Sequence, residues 1–429
     1  MRLKQRVGDF RVRELLRRDY LADAGEHRVY RVTKRKLDSE EAARRLAAEA
    51  GVERGEVQMA GLKDRQGLTI QYMSVTHGRE VHLADAELKI EPAGFAATPL
   101  AGEDSLGNAF ELTVRALSRG DLHCLRANLP RMRAHGMLNY FDDQRFGNLT
   151  HGQGWIYKGL ALGHTEEALR RLLGARSPRD DERHRRFKDG LERHWGDWRE
   201  CRDVAGRYGA HHSVFEHLAK APDDFAGAFE HVSTRLRTIH LFAWQSHVWN
   251  RALVEWMRAL LPVEERVVLA SEEGTLLAYR DAPPQAVLAR ARLCLPGERL
   301  QDVTDPELRP FFERVLSEEG LAPEHMAVSV KGFHLQGEER ELVVRPAHLR
   351  VRPPEHDGLN PGAWAVRVRF ELPRGSYATL IVKRLFAAAP GEHDDPRAAH
   401  GDSRAPRRHS EPGRGHRADR GGERRRREA

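Results

Sequence analysis

Apolar and polar positions alternate over several short stretches of the chain. Phe10, Val12 and Leu16 stand among polar neighbours. Phe110, Leu112, Val114 and Ala116 alternate with Glu111, Thr113 and Arg115, and Leu68 to Val75 is a further strand candidate. Trp364, Val366, Val368, Phe370 and Leu372 give the clearest case, interleaved with Ala365, Arg367, Arg369 and Glu371. A period of two with one charged face predicts antiparallel strands solvated on one side. Helical spacing interrupts these strands. Asp38-Ser39-Glu40-Glu41 predicts a capping box before a helix over Ala42 to Ala50, with Gly51 ending it. Leu236, Ile239, Ala243, Ser246, Trp249, Leu253, Met257 and Leu260 predict a long, largely buried helix behind Ser233 or Thr234. Ser376 is expected to cap a last short helix through Tyr377, Ile381 and Leu385.

This mixture predicts an α+β fold with a mixed, mostly antiparallel sheet. Residues 170 to 200 are charged and contain Pro178, Gly190 and Gly196, which reads as exposed helix and loop. Together with the residues up to about 340, they look like a unit inserted into the first one. From Ala387 to Ala429 the only apolar residues are alanines and prolines, with eleven arginines against eight acidic residues. Such a segment cannot bury enough surface to offset its ordering entropy, so a disordered basic tail is expected.

Composition narrows the class. The 429 residues are 40% hydrophobic, enough for a sizeable core. No apolar run approaches the ~20 residues that cross a bilayer, and no apolar stretch comes after the basic start; a cytoplasmic protein without membrane association is expected. The three cysteines, Cys124, Cys201 and Cys294, lie far apart and form no CxxC pair. Neither a thiolate metal site nor a disulfide framework is expected. Lys and Arg number 71 against 64 Asp and Glu, which suits a polyanionic partner or reflects only an Arg-rich coding bias. No glycine-rich phosphate loop is present, so no nucleotide cofactor is expected, and His211, His212 and His217 lack a carboxylate at a ligand-like spacing.

Three stretches can carry chemistry. In Ala60-Gly61-Leu62-Lys63-Asp64-Arg65, between two strand candidates, a carboxylate lies between two cations and should stay ionised. It is either a nucleophile or part of an ordinary charged turn. In Asn139-Tyr140-Phe141-Asp142-Asp143-Gln144-Arg145-Phe146, aromatic rings beside amides can stack on a base and read its edge, or simply pack a turn; the paired acids could also serve a metal or general-acid chemistry. On the long helix, Gln245, Ser246 and Asn250 read as partners of buried hydrogen bonds.

In this order the stretches resemble the TruD family of tRNA pseudouridine synthases. Lys4 followed by Gly8-Asp9-Phe10-Arg11-Val12-Arg13-Glu14 is similar to the family's opening lysine and DFxVxE strand. Gly61-Leu62-Lys63-Asp64 with Thr69 and Gln71 resembles GxKDxxxxTxQ, whose Asp is the nucleophile. Leu106 to Phe110, Asn139 to Phe141, Gln144 to Gly147, Ala243 to Ser246 and Gly375 to Thr379 resemble the later motifs. Asp142 stands where the family usually has Gly, and Leu138 where it has Pro.

The resemblance implies a pseudouridine synthase core over residues 1–154 and 346–386, an inserted α/β TruD domain over 155–345, and the tail over 387–429. It implies isomerisation of a uridine in tRNA, most commonly U13, with Asp64 as nucleophile. Lys4 would be its basic partner, Phe10 would line the pocket, Lys63 would orient the loop or a phosphate, Asn139 would position Asp64 or the base, and Phe141 would stack on the base. No metal or other cofactor is expected, and the chain is expected to act as a monomer on tRNA. The alternatives are a non-catalytic tRNA-binding chaperone, or a uracil N-glycosylase using a similar Asp.

Overall fold

In the computed structural model, which describes residues 1–147, 154–178, 180–300 and 305–389, the alternating stretches meet in one mixed sheet. Its main strands are β1 (Phe10–Leu16), β2 (His27–Arg35), β3 (Leu68–Thr76), β4 (Leu88–Ala96) and β5 (Ser105–Leu117). Two more come near the end of the chain, β6 (Ala347–Val351) and β7 (Trp364–Pro373). Their order across the sheet is β6-β7-β5-β1-β3-β2-β4. β1 and β3 run parallel, with Arg11 opposite Leu68, while their other neighbours in this order pair antiparallel. The starts of β1, β3 and β7 and the ends of β2 and β5 therefore gather at one end of the sheet.

The pleat divides the residues as the alternation predicts. Val12, Phe110 and Phe370 are register neighbours, as are Phe10, Leu112 and Val368, so these side chains share one face. That face buries against α2 (Arg119–His135) and the last helix, through Leu122, Leu125, Leu380 and Ile381. Farther along, Tyr30, Val32 and Met73 pack on Ala42 and Leu46 of α1 (Ser39–Ala50). Burying each large apolar side chain contributes ~1.5–3 kcal/mol, so a one-residue slip in register is strongly disfavoured. The opposite face carries Arg11, Arg13, Arg31, Arg35, Glu111 and Arg369.

The caps differ in detail from expectation. Asp38 alone caps α1, accepting from the Glu40 N–H at 2.8 Å, and Gly51 ends the helix in the left-handed conformation (φ 76°). Glu41 turns outward to Arg45 at 3.1 Å instead of completing a box. The last helix spans Ala378–Phe386 with no side-chain cap, and the Ser376 hydroxyl is buried without a partner.

Met137–Leu138 and Val343–Val344 form two short strands that pair antiparallel. Between them lie helices that include α3 (Glu182–His194), α4 (Trp198–Tyr208) and α5 (Thr234–Leu260), plus the hairpin Arg266–Ser271 with Gly274–Tyr279. The long helix begins behind Ser233, and Trp244, Trp249 and Trp256 on it are fully buried. Gln245, Ser246 and Asn250 on it are partnered, as expected. Gln245 donates to the carbonyls of Pro296 and Gln336 at 3.0 and 2.9 Å, and Ser246 to that of Phe242 at 2.6 Å. Gly190 does not break its segment but lies inside α3, where a Cβ would come within 2.9 Å of Val204 on α4. The glycine permits that close approach. From residue 390 the expected tail lies outside the described residues, whereas Ala389 is buried and the Ala387 carbonyl accepts from Asn128 at 2.8 Å. No described helix is long and apolar enough to cross a membrane.

Gly190→Val is expected to cost about 1–3 kcal/mol by overpacking the α3–α4 contact. Urea unfolding checks this, and an unchanged midpoint would contradict the close approach.

Candidate active site at the end of the sheet

Asp64 lies in the loop that enters β3, at the sheet end where the parallel strands start. Its carboxylate is mostly withdrawn from water, with the side chain 18% exposed. One oxygen accepts the Gln66 N–H at 2.7 Å. The other accepts from the Lys4 ammonium and from the Gln144 amide, the latter at 3.2 Å. Burial alone would raise its pKa; the ion pair with Lys4 and the two further donors outweigh it and hold the carboxyl below its ordinary 3.8. The group is therefore an anion at neutral pH, partly desolvated and within reach of solvent.

Lys4 approaches from the segment before β1. Its ammonium also lies over the Phe10 ring, 4.2 Å from the centroid. Its backbone is left-handed (φ 59°), a conformation that non-glycine residues adopt at some cost. Phe10 is nearly buried, and Gly67 is obligatory beside it, because a Cβ there would come within 2.5 Å of the Phe10 carbonyl oxygen. The structure thus brings Lys4, Phe10 and Asp64 together.

The loop is braced from below by groups that the alternation hid. Lys34, at an inward position of β2 and fully buried, donates to the carbonyls of Leu37, Lys63 and Asp64 at 3.0, 3.1 and 2.9 Å. Burial pushes its pKa down to about 8, against the pull of Asp64 and Asp38. Ser39 accepts the Lys63 N–H at 3.1 Å and donates to Gln71 at 2.8 Å. Lys63 itself turns inward to the buried carboxylate of Glu14 at 2.6 Å, which ties the loop to β1. Glu14 in turn accepts the Tyr72 N–H at 2.9 Å.

Asn139 and Phe141 belong to a second cluster, centred on Arg340. That guanidinium donates to the Asn139 carbonyl and side-chain oxygen, at 2.8 and 2.9 Å, and to Gly375 at 2.9 Å. It also lies 3.9 Å from the Phe141 ring centroid, and burial pulls its pKa down to about 10. Asn250 grips the Phe141 backbone from both sides, at 2.8 and 2.9 Å. Phe141 is 3% exposed, with Arg145 5.2 Å from its centroid and the half-buried Tyr377 ring edge-on at 6.2 Å. Among the described residues no hydrogen bond joins Asn139 to Asp64; Gln144 makes the link between the clusters. Sequence reasoning offered Gln144 only as an amide that could read a base edge and Tyr377 only as part of a motif, and it missed Lys34 and Arg340.

The paired acids have structural partners. Asp142 accepts from Thr379 and, at 2.8 Å, from Lys383, while Asp143 accepts from Lys383 and Ser271, both at 2.6 Å. Burial opposes the charge on Lys383, but the two carboxylates hold its pKa above the ordinary value. The departure at Asp142 thus builds an ion pair that ties this turn to the last helix. Among the described residues no group of three or more potential metal ligands forms.

Comparison with known proteins adds to this geometry. Residues 1–385 match the family model described as tRNA pseudouridine synthase D (TruD). The "Probable tRNA pseudouridine synthase D 2" of Methanocaldococcus jannaschii is 30% identical over 393 residues, covering 90% of this chain and 92% of the relative. The tRNA pseudouridine synthase D of Aquifex aeolicus is 26% identical over 410 residues, covering 90% and 98%. A crystal structure of a TruD chain from Methanosarcina mazei shares the fold, with a TM-score of 0.64 at 22% identity over 90% of this chain and 93% of that one.

Removing the Lys4 charge takes away the strongest influence that opposes burial at Asp64. In Lys4→Met the Asp64 carboxyl is expected to titrate higher than in the parent. In the parent, the depressed pKa stabilises the fold above 3.8, and this stabilisation is lost as pH falls through the folded value. Carbon-13 NMR of the carboxyl checks the shift, and an unmoved titration would contradict it.

Proposed function

The chain belongs to the tRNA pseudouridine synthase D (TruD) family, and on that footing we propose that it isomerises a uridine of tRNA to pseudouridine, with Asp64 as the nucleophile and uridine 13 as the target. The observation that carries the reading is the ionised, partly desolvated Asp64 carboxylate held at the sheet end by Lys4, Gln144 and the Gln66 N–H.

The reaction needs a base taken out of its stack, a nucleophile and a guarded site. Asp64 attacks either the ribose anomeric carbon or uracil C6. The N1–C1′ bond breaks, the uracil turns, a C5–C1′ bond forms, and the bond to Asp64 is broken to regenerate the carboxylate. The C5 proton leaves and N1 gains one, so the composition of the RNA is unchanged. Lys4 keeps Asp64 ionised and oriented. The Phe10 ring supports Lys4 and lines the pocket, and Lys63 fixes the loop through Glu14. Asn139 and Arg340 set the floor beneath Phe141, whose ring, with Tyr377, offers an apolar wall to the flipped base. We also propose that residues 155–345 form the inserted domain and that 1–154 with 346–386 form the catalytic core. The pairing of Met137–Leu138 with Val343–Val344 supports an insertion that starts and ends at neighbouring points.

Incubation with unmodified tRNA is expected to give a carbodiimide-reactive residue at position 13 with no change in RNA mass. Loss of a base mass would indicate a glycosylase, and unaltered RNA that is still bound would indicate a chaperone. Labelling at another position would keep the reaction and overturn the choice of U13.

A further inference from the structure

The face of the sheet turned away from the helices carries guanidinium groups that the mechanism above does not use. At the end where Asp64 lies, Arg6, Arg11, Arg35 and Arg367 line one pocket. Arg6, Arg11 and Arg35 are exposed, and among the described residues none of their guanidinium groups pairs with an acid; Glu111, opposite Arg11 in the register, pairs with Arg369 instead. Asp9 is the acid of that pocket, but it is buried and both its oxygens accept from Arg115, at 2.7 and 2.9 Å. Arg367 has only Glu111 at 3.9 Å, which also serves Arg369 at 2.5 Å. The pocket is therefore strongly positive.

Farther along the same face Arg31 has a carboxylate partner, Glu91 at 2.9 Å, which Lys89 shares at 2.7 Å. Arg11 and Arg35 stand where β1 begins and β2 ends, the end at which the Asp64 loop enters β3. Arg65, next to Asp64, is exposed there as well and has no acidic partner among the described residues. Like charges brought this close repel one another, so an excess of guanidinium groups over carboxylates fits a polyanionic occupant.

We propose that Arg6, Arg11 and Arg35 form a phosphodiester-binding site, which holds the substrate backbone as it passes round the sheet end from Asp64 to the open face. Guanidinium groups suit this ligand because they bind phosphate oxygens in pairs and never lose their charge. The site rests on the reading of the chain as a tRNA-modifying enzyme only for the identity of the polyanion.

The test measures binding of an unmodified tRNA transcript to the full chain across a range of salt concentrations. The double variant Arg11→Gln/Arg35→Gln is expected to weaken binding about tenfold near 100 mM salt. The slope of log K against log salt should become shallower by about 1.5–2, because roughly one counterion is released per contact. Arg11→Lys/Arg35→Lys should keep most of the slope, which separates charge from damage to the strand. Arg31→Gln, which removes a guanidinium already paired with Glu91, is the reference. A double Gln variant with the affinity and slope of Arg31→Gln would overturn the proposal. If the parent forms no pseudouridine while the double variant still loses affinity and slope, the phosphate site stands and the proposed reaction falls.

Discussion

A carboxylate taken out of water keeps its charge only if other groups replace the solvent. Asp64 meets that constraint with an ammonium, an amide and a backbone N–H, and the organisation of the sheet end comes from supplying them. Parallel pairing of β1 with β3 brings the segment before β1 beside the loop before β3, which lets Lys4 reach Asp64. The pair is an expensive arrangement to hold in place. Lys4 takes a left-handed backbone, and a second cation, Lys34, is buried beneath the loop to satisfy three carbonyls. Unpaired, such groups would each cost on the order of 1–3 kcal/mol, so the loop has little freedom to adopt another shape.

The rest of the molecule builds on this anchor. The aromatic wall at Phe141 is fixed by groups from three distant parts of the chain: Asn250 on the long helix, Arg340 just before Val343–Val344, and Tyr377 before the last helix. Gln144, one turn beyond Phe141, then touches Asp64. Pairing of Met137–Leu138 with Val343–Val344 brings Asn139 and Arg340 together, and Gln144 links that cluster to the first.

The strands and the long helix were legible because burial writes a period of two or 3.6 into the sequence, and Phe10, Phe110 and Val366 to Leu372 obey it, whereas a bulge between Trp364 and Val366 buries Ala365. Asp64 and Lys4 were legible only as members of an ordered set of motifs, since a charged turn looks the same in either role. The remainder depends on contacts between residues far apart in sequence, which leave no local trace. Lys34 sits at an inward strand position where alternation predicts an apolar side chain. Asp142 reads as a departure from a glycine until Lys383, some 240 residues on, is seen beside it. Gly190 looks like a helix breaker until Val204 is found against it, and Ser376 fits a cap that the backbone does not use.

Whether the Asp64 carboxylate does the chemistry is the central question. Isomerisation expels the hydrogen at uracil C5, so tRNA labelled with tritium at that position reports the event directly. In a single turnover the parent protein should release the label from one uridine per tRNA, and Asp64→Asn should bind the same tRNA and release none. Release by Asp64→Asn at the rate of the parent would contradict the assignment.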